Sequence, residues 1–439
     1  MDRLRPRFSE RKALKSIVFF PFFWYFWDAE KGKERMPSKD QRLAFLGLHR
    51  NIFFLGLVSF FTDLSSEMIY PLLPVFLTSV LGASPTFVGL IEGIAEATAS
   101  FLKLFSGWVS DRWKKRKSLV VFGYTLSTLI RPLVGVATIG WHVLLIRFLD
   151  RVGKGIRTSP RDALIADSIP EREHGKAFGF QRALDHAGAV IGPLVAFFLL
   201  TFITQQCRTV FLLAYIPGVI ALSILIFGVG EKRVSPAPLA SPPLQLTLRV
   251  FDRRFKTFLL TIILFSLGNS SDAFLILKAK DSGISVSLLP ILWMALHISK
   301  SLSATPGGIL SDRYGRKKMI LAGWTLYGGV YFGFASAQTS EGVWILFVIY
   351  GLFYGLTEGG ERALVANLVP LHLRGTAYGI YHFSIGLSAL PASLLMGYLW
   401  ETFSPEAAFR VGAILALAAA GLLWSAVKEE RMETNQGRG

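Results

Sequence analysis

Long apolar stretches separated by short polar breaks dominate the chain. They fall near residues 51–81, 85–108, 118–139, 141–168, 175–204 and 207–229, and after a longer break near 256–279, 285–310, 319–338, 341–369, 375–399 and 405–427. Each is close to the ~20 residues that a helix needs to cross the hydrocarbon core of a bilayer. Several contain Pro or Gly, which membrane helices tolerate where neighbouring groups satisfy the freed backbone. The pattern predicts an all-α membrane protein with twelve transmembrane helices. A further run, SIVFFPFFWYFW at 16–27, is too short to span and lacks a small-residue cleavage site. Two readings stand: a segment lying in the interface, or, favoured over it, an upstream extension with Met36 as the natural start.

Composition strengthens this picture. Apolar residues make up 52% of the chain and charged residues 18%, against about a quarter in soluble proteins. The net charge of +17 would suit a nucleic-acid partner if it were spread along one surface, but it is not. Bases collect in the N-terminal arm and at 112–117, 231–256, 313–318 and 428–431. The intervening breaks (LGASP at 81–85, TIGW at 138–141, AQTSEG at 337–342) hold almost no Lys or Arg. That alternation is the positive-inside pattern, and it places both termini in the cytoplasm; the expected location is the plasma (inner) membrane of a prokaryote. The lipid bilayer accounts for the charge and no nucleic-acid partner is expected. The single cysteine, Cys207, excludes an intramolecular disulfide, and the seven histidines show no metal-ligand spacing.

The chain repeats itself. SGWVSDRWKKRK (106–117) returns as GGILSDRYGRKK (307–318), with Asp111 and Asp312 201 residues apart. RDALIADSIPEREHGKAFGF from Arg161 aligns with ERALVANLVPLHLRGTAYGI from Glu361 at an offset of 200. Two six-span halves are expected: a basic and aromatic extension (1–44), a first bundle (45–229), a Pro-rich basic linker (230–255), a second bundle (256–428) and a tail (429–439).

These residues resemble the major facilitator superfamily. Its pattern G-x-x-x-D-[RK]-x-G-[RK]-[RK] between spans two and three is matched fully by Gly308, Asp312, Arg313, Gly315, Arg316 and Lys317. The first copy fits at Gly107, Asp111 and Arg112 but has Lys114 where Gly is usual. RFLDRVGKG (147–155) resembles the family's span-four motif, and Gly188, Gly192 and Pro193 its span-five motif, often seen in exporters. The likeness covers residues 45–428. It implies twelve helices in two pseudo-symmetric bundles, a central cavity between them, and function as a monomer. It further implies that Asp111 faces the start of span eleven near Gly375, and Asp312 the start of span five near Gly175, as a gate.

Charges inside the spans mark the candidate chemistry. Span four carries Arg147, Asp150, Arg151, Lys154 and Arg157. Left to lipid they would cost on the order of 10 kcal/mol, so partners are required. Arg147, Arg151 and Lys154 share one helix face, and Asp150 is placed to pair with Lys154 at i+4. Span one offers Asp63 and Glu67, and span two Glu92 and Glu96. This sets acids on one wall against bases on the other. Asp63, Glu67, Glu92 and Glu96 are the proton-coupling candidates, because a moving partner can switch an acid's hold on its proton; the alternative is permanent ion pairs. Further cavity candidates are Arg182, Asp185, Asp272, Lys300 and Glu358. His186 and His382 are weighted towards packing, and span eight carries His297 three residues before Lys300. Glu361 and Arg362 are expected to form gate pairs opposite Arg161 and Asp162.

Catalytic patterns are missing. GKGIRTS (153–159) lies inside a span with no preceding strand, and neither G-x-S-x-G nor H-E-x-x-H occurs. No enzyme activity and no cofactor or metal are expected. The leading reading is a secondary active transporter of small molecules working by alternating access, proton-coupled and exporting. The alternative is uptake or exchange of a small organic anion, suggested by the bases of span four.

Overall fold

The computed structural model describes residues 42–43, 48–113, 116–169, 174–230, 248–370 and 373–426. Residues 1–50 and 51–439 form separate units. In the first, β1 (Arg42–Leu43) pairs antiparallel with β2 (Leu48–His49). The aromatic run at 16–27 and most of the linker, 231–247, lie outside the described residues.

Twelve long helical segments follow among the described residues: α1 (Arg50–Val80), α2 (Pro85–Trp113), α3 (Arg116–Val136), α4 (Gly140–Asp167), α5 (His174–Phe202), α6 (Cys207–Gly228), α7 (Arg253–Asp281), α8 (Leu289–Tyr314), α9 (Arg316–Ser336), α10 (Ser340–Leu368), α11 (Arg374–Thr402) and α12 (Pro405–Ala426). Each predicted span lands on one of them. Eight are long and apolar enough to cross a membrane on composition alone; α2, α4, α8 and α9 are not. The first three of these carry in-span charge or polar side chains that turn inward, so their polarity is a property of the cavity. Large apolar side chains such as Ile216, Phe227, Leu302 and Trp424 are exposed on the helices, as a lipid-facing surface requires.

Irregular backbone falls where chemistry sits. Pro71 and Pro74 cannot donate to the ladder, and α1 passes through a 3-10 turn at Tyr70–Leu72 and a π turn at Phe76–Val80. Pro132 turns the end of α3 into a 3-10 segment from Arg131 to Val136. The regular helix of α7 stops at Gly268 and resumes at Ala273. A broken helix inside a bundle exposes backbone groups only where it borders a cavity.

The repeated phrase, expected from the sequence between spans two and three, is mostly helix. Ser106–Trp113 and Gly307–Tyr314 close α2 and α8. In the second copy the turn is Gly315 alone, at φ 99°, a conformation that a side chain would strain. Arg116 donates to the Ala163 carbonyl (3.0 Å) and Arg316 to that of Ala363 (2.9 Å), a spacing of 200 where the aspartates give 201. The first turn is thus one residue longer, and Lys114 need not imitate Gly315. Lys117 likewise reaches the Ile226 carbonyl (3.0 Å) and Lys317 that of Trp424 (2.8 Å). In each half these bases fasten the third helix to the ends of the fourth and sixth.

The two halves meet along α2–α11 and α5–α8. At the end away from the basic turns, here the far end, they touch closely. A Cβ on Gly89 would sit 2.1 Å from the Ser393 carbonyl oxygen, and one on Gly397 2.6 Å from that of Pro85. The Thr86 amide donates to Glu401 (3.3 Å), and Lys280 bonds Ser79. Towards the basic turns, by contrast, Arg182, Glu358 and Arg362 side chains are about half exposed.

The halves are held differently. The second is packed with buried aromatics: Phe265 stacks on Trp324 at 4.5 Å and Tyr327 on Tyr331 at 4.2 Å. The first buries charge.

Candidate functional site

A cavity of about 530 Å³ lies between the halves. Six acids (Asp63, Glu67, Glu92, Glu96, Asp150, Asp272) and six bases (Arg131, Arg147, Arg151, Lys154, Arg157, Lys300) line it.

Its first feature comes from the span-five motif. A Cβ on Gly188 would lie 2.3 Å from the Phe60 carbonyl oxygen, and one on Gly192 2.7 Å from that of Leu64, so α5 crosses α1 backbone to backbone. Asp185 precedes Gly188 by three residues and Asp63 follows Phe60 by three. The crossing sets their carboxyl groups close to each other. Gln181 donates to Asp185 (3.4 Å) and to Ser59 (2.8 Å), and Arg182 pairs with Asp185 at 3.4 Å. Lys154 is the nearby base for Asp63.

One turn along α1, Glu67 reaches the other half. It accepts from the Trp293 indole at 2.8 Å, and Trp293 packs on Tyr70 with ring centres 4.9 Å apart. The His297 Nε2 is buried 3.9 Å from Glu67, too far to bond, and has no hydrogen-bond partner among the described residues.

The bases of α4 divide into two kinds. Arg147 grips Glu92 of α2 with its Nε (3.1 Å) and one terminal nitrogen (2.7 and 2.8 Å), both residues being buried. Asp150 accepts from Arg131 at 2.9 and 3.2 Å, and Arg131 also caps the Thr62 carbonyl at 3.2 Å. Arg157 lies over the Tyr124 ring at 4.4 Å and donates to Ser127. Arg151 and Lys154, by contrast, line the cavity without a hydrogen bond or close ion pair for their charged ends among the described residues. The Arg151 Nε is buried and unpartnered. Glu96 faces both, and Lys103, from α2, but contacts none of them as an ion pair.

Across the cavity, the break in α7 exposes Asp272. It accepts from Tyr350 (2.7 Å) and Tyr354 (3.1 Å), and the Lys300 ammonium sits 3.8 Å from the centre of the Tyr354 ring.

Several expectations change. Asp150 pairs with Arg131, not Lys154, because the 3-10 turn before Pro132 aims Arg131 across at α4. The counter-wall to α4 is α2 and α3 as well as α1: Glu92 holds Arg147, while Glu67 turns to α8. Glu361 is buried within its own half, accepting from Trp324 (3.0 Å) and Tyr381 (2.7 Å), so it forms no pair across the halves. Arg161 bonds its neighbour Asp162 (2.9 Å), and Arg362 bonds Glu358 (2.7 Å). Arg182, Asp185 and Glu358 stand beyond the cavity lining. His186 and His382 are exposed. Of the gate residues, Gly107 packs near Ser159, Gly308 meets open space, Asp312 is exposed at the end of α8, and Arg313 lies beside the Tyr314 ring. Gly175 and Gly375 lie in the first turns of α5 and α11, while the side chains of Asp111 and Arg112 lie outside the described ones. Sequence reading missed Arg131, Trp293, Tyr350 and Tyr354 as site residues. Arg131 had a signal: a lone base before Pro in an apolar run. The tyrosines had none.

Comparison with known proteins agrees with this architecture. The chain matches the sequence profile of the Major Facilitator Superfamily over residues 55–298 and 258–439. It is 36% identical over 405 residues to an uncharacterized MFS-type transporter of Methanocaldococcus jannaschii, covering 90% of this chain and 98% of that one. It is 24% identical over 370 residues to the multidrug resistance protein MdtH of Yersinia pestis, covering 81% and 90%. Among solved structures, the nucleoside transporter NupG superposes with a TM-score of 0.71 at 15% identity, covering 86% of this chain and 99% of that one. A D-xylose–proton symporter gives 0.68 at 16%, covering 87% and 98%.

Proposed function

The chain belongs to the Major Facilitator Superfamily, and from that premise we propose that it is a proton-coupled secondary transporter that exports small molecules by alternating access. It is a multi-pass membrane protein of twelve helices in two pseudo-symmetric six-helix bundles. The reading extends this to a monomer in the inner membrane of a prokaryote. Its basic turns and both termini face the cytoplasm, and it performs no chemistry on its cargo.

The carrying observation is the Asp63–Asp185 pair at the α1–α5 crossing. Two carboxyl groups this close repel when both are ionised and bind firmly when one proton lies between them. The far end is closed in this structure, so the pair communicates with the side of the basic turns. Rocking of the halves would turn it to the other side, with Lys154 at hand to balance Asp63 once the proton leaves. Export as the direction is supported by the similarity to MdtH of Yersinia pestis and by the α5 motif that builds the pair.

The test uses purified protein in liposomes holding a pH-sensitive dye, with gradients of lipophilic cations, organic anions and sugars imposed in turn. At least one compound is expected to drive proton movement in wild type. Asp63→Asn should reduce that movement to the level of protein-free liposomes. Compounds crossing with no proton movement would overturn the coupling. A second reading, uptake or exchange of a small organic anion, is favoured by the partnerless Arg151 and Lys154.

A further inference from the structure

We infer that the α2–α4 wall of the cavity is a binding subsite for the anionic group of the cargo, a carboxylate or phosphate held by Arg151 and Lys154, with Glu96 as the resident competitor. This deepens the transport reading above and rests on it.

The argument begins with cost. An arginine keeps its charge throughout, and burying that charge without a partner is expensive. The chain solves this problem for the neighbouring arginines. Arg147 has Glu92, Arg131 has Asp150, and Arg157 has a tyrosine face and a serine. Arg151, between Arg147 and Arg157 on α4, has a buried Nε with nothing to donate to among the described residues. Lys154 stands three residues on, in the same cavity and equally unpartnered. The two present a planar fork and a point charge side by side, the combination that suits an oxyanion.

Glu96 explains why the site is tolerable when empty. It faces Arg151, Lys154 and Lys103 from α2 and balances them through space, yet stays out of ion-pair contact with each. Water or a small ligand can therefore enter between them, and the cavity has the volume for one. An anion arriving at Arg151 meets attraction from both bases and repulsion from Glu96. Neutralising Glu96 should strengthen the site, and losing either base should weaken it.

Full-length protein in detergent would be titrated calorimetrically with lactate, succinate, citrate, inorganic phosphate and glycerol phosphate, with tetraphenylphosphonium as the cationic control. At least one anion is expected to bind wild type. Glu96→Gln should bind it about tenfold tighter, and Arg151→Gln and Lys154→Gln about tenfold or more weaker, the usual worth of a charged hydrogen bond. Arg151→Lys keeps the charge and controls for folding: it should melt like wild type and bind with intermediate strength. The subsite is overturned if no anion binds either wild type or the well-folded Glu96→Gln protein. It is also overturned if binding ignores Arg151. The liposome assay separates this from the transport reading. Proton flux driven by a lipophilic cation with no anion binding would sink the subsite alone. Anion binding without any flux would sink the transport reading alone.

Discussion

Arg147→Met will unfold the first bundle more readily by about 3–5 kcal/mol, the largest single-residue effect expected on stability. The reason is the residue left behind. Glu92 is buried and receives three short contacts from the Arg147 guanidinium. Without them an ionised carboxylate remains in a low-dielectric interior, with the desolvation cost undiminished. Glu92→Leu should be comparably harmful, because it strands Arg147. The double variant should recover much of the loss, since two apolar side chains of similar size carry no such cost. Unfolding by SDS, followed by circular dichroism across the four proteins, measures the coupling directly. Additive single effects, or singles near 0.5 kcal/mol, would mean that Glu92 is solvated and free to exchange protons, restoring it as a coupling acid.

Gly89→Val will shift the protein away from the state seen here. The added side chain cannot fit: its Cβ alone would fall 2.1 Å from the Ser393 carbonyl oxygen, which belongs to the opposite half. Overpacking of this kind costs about 1–3 kcal/mol, equivalent to roughly a 5- to 150-fold change in a two-state ratio. The strain is relieved when α2 and α11 part at the far end, so that conformation should gain. Spin labels at Thr86→Cys and Glu401→Cys, in a Cys207→Ser background, report the far-end distance. In the parent they should be close, as the Thr86–Glu401 bond requires, and in the Gly89→Val protein a longer distance should dominate. An unchanged distance distribution would show that α2 and α11 yield locally and that Gly89 does not govern the transition.

The number and order of helices were legible because a membrane span is a one-dimensional signal: about twenty apolar residues bounded by polar ones. Even α2 and α4, too polar to pass on hydropathy, were found from the breaks around them. The 200-residue repeat was legible for the same reason. What escaped was pairing. Arg147 and Glu92 are 55 residues apart, and Arg131 and Asp150 19. Their meeting depends on helix rotation and on a proline-induced 3-10 turn, neither of which periodicity encodes. The rule that residues four apart on a helix are neighbours favoured Asp150 with Lys154. It failed because a better partner came from another helix. The α5 motif was noticed in the sequence, but that its glycines press one aspartate against another required the crossing itself.

The balance of charge around the cavity has an electrical consequence. Six acids face six bases there, so the formal charge carried by the lining is zero. Moving one uncompensated charge through the whole of a 100 mV membrane potential is worth about 2.3 kcal/mol. A carrier whose interior charges cancel does no such work when it reorients empty, and resting voltage neither pulls it nor holds it back. Whatever sensitivity to voltage the loaded cycle has must then come from what it carries, and the cavity lining is electrically silent.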